Sequence, residues 1–208
     1  MTLPPLKRYL DGPPATGRRH PAAMVPLRPF LALLLLAASA CKKERTELDR
    51  LPDATQEGRA TAGWLLDGKA RVPTRSSIST GAPVDGYWEK TKSGRSLGLS
   101  FHYVSMDEDW GVSFFLPDIR RTGTFALDRV PAITSGRNDA GYGQYYSLRP
   151  GPRNGYYTGP DAPGQLVITR FDTVQNIVSG TFEMTPRQDG GATTVRVTHG
   201  RFDLRFSR

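Results

Sequence analysis

The chain is short of cysteine, histidine and long apolar runs, and each shortage excludes something. One cysteine, Cys41, in 208 residues leaves no intramolecular disulfide framework and no multi-cysteine metal site. Of three histidines, only His102 and His199 follow residue 40, and neither stands in H-E-x-x-H or a comparable ligand spacing. No metal and no cofactor is expected. The longest apolar run, Phe30–Ala40, would span about 17 Å as a helix, roughly half a hydrocarbon core, so it is too short to cross a membrane. Acidic residues are outnumbered, with a net charge of +8. Residues 1–40, however, hold Lys7, Arg8, Arg18, Arg19 and Arg28 against Asp11, which leaves +4 scattered over residues 41–208. That dispersal argues against nucleic acid as a partner.

What is present at the front is "RPFLALLLLAASAC", Arg28 to Cys41. A cation, an apolar stretch and small residues before the cysteine match a secretory signal, and Ala38-Ser39-Ala40-Cys41 resembles a bacterial lipobox. The resemblance implies cleavage before Cys41 and lipidation of its sulfur, so the partner here is a membrane, reached through acyl chains. Lys42 after the cysteine, where inner-membrane retention favours aspartate, points to the outer membrane, on its periplasmic or surface side. Met24 begins a signal of ordinary proportions, and translation is expected to start there. The expected organisation is a leader and signal over 1–40, a lipidated flexible tether over 41–62 and a β domain over 63–208. A polar tether of twenty residues would hold that domain some 25 Å from the bilayer on average.

Beyond Gly63 the pattern is one of short strands. Asp67-Gly68 between apolar residues predicts a tight hairpin. Leu97, Leu99, Phe101 and Tyr103 alternate with Ser96, Ser100 and His102. "WGVSFFLP" and "TGTFALD" follow as strands, and "GQLVITRFD" and "NIVSGTFEMTP" predict a hairpin across Thr173–Gln175. In the last segment, Val195 and Val197 are odd-numbered while Phe202, Leu204 and Phe206 are even, which predicts a β-bulge near His199-Gly200. No stretch combines a helical period with caps. The fold class is all-β, an antiparallel sandwich or closed barrel of about eight to ten short strands.

Three groups of residues resemble one family. Leu51-Pro52-x-Ala54-Thr55-Gln56 with the Asp67-Gly68-Lys69 turn, Ser179-Gly180-Thr181-Phe182, and the closing Gly200-Arg201-Phe202-Asp203 are similar to the two ends of an uncharacterised family of small Bacteroidota envelope lipoproteins. Residues 73–163 carry no such likeness. The resemblance implies an envelope lipoprotein with a β domain and supplies no catalytic residue.

Chemistry is faint. Gly94-Arg95-Ser96-Leu97-Gly98 fits the G-x-S-x-G spacing of a nucleophile elbow but precedes a strand, whereas the elbow needs a strand-to-helix turn. Asp107, Glu108 and Asp109 lack the spacing of a calcium loop and read as an acidic hairpin tip. The segment Asn138–Gly164 packs five of the eight tyrosines among glycine and proline. Tyr142, Tyr145, Tyr146, Tyr156 and Tyr157 offer stacking area with a hydroxyl at the tip. These residues lead to a non-enzymatic binding module for a glycan or an envelope protein. The alternative is a lipocalin-like carrier of a small apolar molecule.

Overall fold

The computed structural model describes residues 44–76, 78, 81–91, 94–131, 140–149 and 154–208. The signal segment, Met24 and Cys41 lie outside them. Among the described residues twelve strands form in chain order: β1 Thr61–Leu66, β2 Lys69–Arg71, β3 Val84–Thr91, β4 Gly94–Val104, β5 Asp109–Leu116 and β6 Gly123–Leu127, then β7 Tyr142–Arg149, β8 Asn154–Tyr157, β9 Gly164–Asp172, β10 Ile177–Met184, β11 Arg187–Gln188 and β12 Val197–Arg205. They make two antiparallel six-stranded sheets. Sheet A runs β2-β1-β12-β10-β9-β6 and sheet B runs β11-β8-β7-β5-β4-β3. The architecture is a sandwich rather than a closed barrel.

Alternation explains the core. Leu97, Leu99 and Phe101 of β4 are buried with Val112 and Phe114 of β5, facing Phe182 of β10 and Phe202 of β12. Rings join the two sheets directly, with Phe114 and Phe182 centroids 4.7 Å apart and Phe101 and Phe202 5.6 Å apart. Trp64 of β1 meets Trp110 of β5 edge-on at 5.6 Å. Each such buried ring contributes roughly 1.5–3 kcal/mol.

The turns follow their residues. Asp67 (φ 48°) and Gly68 (φ 81°) close β1 onto β2, with Leu66 opposite Lys69. At the β9–β10 turn the Asp172 carboxylate accepts from the Val174 and Gln175 N–H groups, both at 2.9 Å. The bulge expected near His199 is present. Gly63 pairs with Arg201 and Leu65 with Thr198, so β12 spends one extra residue there. His199 takes a left-handed φ of 54°. Val197, Phe202, Leu204 and Phe206 are thereby all buried. The similar phrases "TGTF" and "SGTF" flank β9 in one register: Gly123 and Gly180 both oppose Ile168, and Phe125 and Phe182 both oppose Leu166.

The segment expected as a tether behaves differently from Glu44 onward. A single 3-10 turn, Leu48–Arg50, precedes Pro52. The chain then crosses the outer face of sheet A as a strap. Pro52 lies on Gly63, where an added Cβ would stand 2.6 Å from its Cδ. Arg201 Nη1 donates to the Pro52 carbonyl at 3.3 Å, and Arg170 donates to the Gln56 carbonyl. Glu47 accepts the Ala70 N–H at 2.8 Å, occupying a donor on β2, an edge strand. A polar composition predicts mobility, yet these polar groups are the ones that hold the segment down.

Candidate functional site

The strap converges on Asp203, which has no solvent exposure. Its carboxylate accepts from the hydroxyls of Thr55 (2.6 Å) and Ser179 (2.7 Å), and from the N–H groups of Glu57 (2.9 Å), Gly58 (2.7 Å) and Arg59 (3.2 Å). Burial alone would push the carboxyl up, but the hydrogen bonds from Thr55, Glu57, Ser179 and Gly58 outweigh it and hold the pKa down to about 2. Thr55, Ser179 and Asp203 come from the three groups that carry the family resemblance. Their meeting is a structural staple, closed to any ligand.

The outer face of sheet B has a different character. Strand pairing sets Tyr87 opposite Gly98, Gly98 opposite Phe115, and Phe115 opposite Tyr142, a row across β3, β4, β5 and β7. Tyr87 lies flat over Gly98, where an added Cβ would fall 2.1 Å from its Cζ. Phe115 and Tyr142 stack at 5.9 Å with planes 26° apart. The next row sets Asp85, Ser100, Ser113, Gln144 and Tyr157 in register. Ser113 Oγ approaches Gln144 Oε1 at 3.4 Å, and Gln144 Nε2 donates to the Tyr157 hydroxyl at 3.2 Å. Beyond it, Tyr146 covers Gly111, its hydroxyl 2.7 Å from the position of a Cβ there.

These phenols converge. The pKa of Tyr142 is raised, first by burial and then by the facing phenols of Tyr87 and Tyr157. Tyr157 also walls two clefts at the β8–β11 edge. One, of about 260 Å³, includes Val130, Pro160 and Arg187; the other, of about 300 Å³, includes Asn154, Gln188 and Asp189. Sheet B thus presents an aromatic band ending in a polar recess.

Of the five tyrosines chosen from sequence, three share this face: Tyr142, Tyr146 and Tyr157. Tyr145 and Tyr156 do not. They pair across β7 and β8 on the inner side, rings 5.7 Å apart, and pack in or against the core. The described part of the tyrosine-bearing segment is mostly strand, and its residues 138–139 and 150–153 lie outside the described ones. Tyr87 and Phe115, which join this face, stand well upstream of the tyrosine-rich segment. For Tyr87 the available signal is Gly98, a glycine inside a strong strand, which marks a close approach of another group.

Other sequence candidates find ordinary surroundings. Ser96 sits within β4 without exposure, its hydroxyl 3.2 Å from that of Thr91, so no elbow lifts it. Glu108, in the acidic tip, accepts from Trp110 Nε1 at 3.1 Å. His199 borders a cleft of about 400 Å³ on sheet A with Glu183, Arg201 and Gln165. Among the described residues no cluster of histidine, cysteine and carboxylate side chains could hold a metal, and no helix is long and apolar enough to cross a membrane. No protein-family model, curated protein or solved structure matches the chain. The functional reading therefore stands on the geometry of the aromatic band.

Proposed function

We propose that the protein is a lipid-anchored module of the bacterial cell envelope that binds a glycan on the outer face of sheet B. The anchor is the lipidated Cys41 of the lipobox-like signal, with the outer membrane as its destination, as in the Bacteroidota lipoproteins the chain resembles. The observation that carries the binding reading is the band Tyr87, Tyr142 and Tyr157, with Tyr87 laid over Gly98 and Tyr142 stacked on the buried Phe115, bordered by Ser113, Gln144 and Asp85.

A sugar ring has an apolar C–H face and a rim of hydroxyls. An aromatic face receives the first, and amide, hydroxyl and carboxylate groups in the adjoining row receive the second. Tyrosines contribute large contact area at small entropic cost, and rings already laid on a sheet have little freedom left to lose. Among the described residues no nucleophile or acid–base pair joins the band, and the role proposed is binding, without turnover. The space between the sheets is filled by rings, which gives the apolar-carrier alternative no support.

The test is a glycan array probed with the wild type and with Tyr87→Ala, Tyr142→Ala and Tyr157→Ala. Each substitution is expected to weaken retention of a glycan about tenfold. Tyr145→Ala, facing the core, is expected to lower stability instead. Absence of any retained glycan, or retention undiminished in the triple variant, would refute the reading. Capture of an envelope protein that the same triple variant loses would transfer the face to a protein partner. The anchor is tested separately, by loss of the acylated N-terminal peptide in Cys41→Ser.

A further inference from the structure

A second recess lies where the β3–β4 hairpin, the segment after β5 and the β9–β10 turn come together. It encloses about 560 Å³ and is lined by Trp88, Lys90, Gly94, Arg95, Arg120 and Thr173. Its floor is rigidly built. Trp88 donates its indole N–H to the Ile119 carbonyl at 3.0 Å and meets Phe171 and Phe206 edge-on at 5.5 and 5.9 Å. Its rim is cationic. The Arg95 guanidinium stands 4.4 Å from the Trp88 centroid and that of Arg208 stands 5.7 Å from the same ring. Arg208 also donates to the Thr173 carbonyl.

Folding alone does not account for this concentration. Lys90 and Arg95 face each other directly across β3 and β4, a like-charge pairing that costs stability. Among the described residues, no ion pair involves Lys90, Arg95 or Arg208, and Arg120 is matched by Asp118 at 2.9 Å. Three cations therefore surround an aromatic floor with no ion-pair partner among the described residues. Stacking on Trp88 leaves the in-plane N–H groups of Arg95 free to aim outward, the geometry that suits a bidentate oxyanion.

We propose that this cleft binds a phosphate monoester. A carboxylate would bring one charge and two oxygens, whereas a phosphate monoester brings close to two charges and three strong acceptors, the better match to three unpaired cations. Its source is either a soluble phosphorylated molecule or a phosphorylated lipid headgroup. The site is separate from the aromatic band and does not depend on the glycan reading.

The full chain is titrated with inorganic phosphate while the Trp88 indole N–H resonance is followed, and is sedimented with phosphatidylcholine vesicles with and without phosphatidic acid. Arg95→Gln with Arg208→Gln should weaken either interaction about tenfold or more, and added salt should weaken it further. Both side chains are exposed, and an unchanged melting transition verifies folding. Saturation of the Trp88 shift by phosphate, lost in the double variant, assigns a soluble ligand. Sedimentation with phosphatidic acid that phosphate does not displace, again lost in the variant, assigns a lipid headgroup. Neither interaction, or either one undiminished in the double variant, overturns the proposal.

Discussion

Asp203 keeps its charge with no ion-pair partner among the described residues; five hydrogen-bond donors hold it instead. The consequence for pH has a definite sign. Its folded pKa, about 2, lies below the ordinary 3.8. The stabilisation is complete above the unfolded value and is lost as pH falls from about 4 through about 2, with a size of about 2 kcal/mol. Asp203→Asn retains one acceptor and strands several donors, so urea unfolding at neutral pH should show a loss of about 2–4 kcal/mol. The variant should also lose this part of the acid sensitivity. Gly98 makes the complementary case on sheet B. Gly98→Ala should tilt Tyr87 off the sheet, because its Cβ would collide with that ring. Glycan retention should fall several-fold while the core, on the other side of β4, keeps its melting temperature.

At the level of elements, parity decides who faces whom. The bulge in β12 brings Val197 and Phe202 to the same interior despite their opposite numbering. Deleting His199 would turn either Val197 or the set Phe202, Leu204 and Phe206 outward, so circular dichroism and soluble yield should report a chain that does not fold. This feature was legible in the sequence because both flanking runs alternate strongly. The aromatic band was legible only in part. Adjacent tyrosines such as Tyr145-Tyr146 and Tyr156-Tyr157 occupy both parities, and only pairing with β5 chooses between them. Tyr87 and Phe115 reach the band through register between distant strands, which no local pattern encodes. The basic recess escaped for the same reason: Lys90 and Arg95 are close in sequence, but Thr173 and Arg208 join them only in the fold.

For the molecule as a whole, the two outer faces differ. Sheet A is roofed by its own strap, and among the described residues sheet B carries no such cover. The strap reads as loose in sequence because composition weighs apolar burial and takes no account of a buried carboxylate awaiting donors. A chain beginning at residue 60 should therefore lose more stability in urea unfolding than Asp203→Asn, since it also uncovers Ile177, on which Gly58 rests.

The strap also sets a leash length. With the fold holding the chain from Glu44, a lipid on Cys41 would be joined to it by three residues, a reach of about 10 Å at full extension. The expected loose tether would have let the domain wander some 25 Å from the surface. On so short a leash, the lipid-anchored form proposed above would search by rotating in place within a thin layer. Such confinement would raise the effective concentration of membrane-borne ligands at its surface and leave soluble or distant ones to diffuse inward.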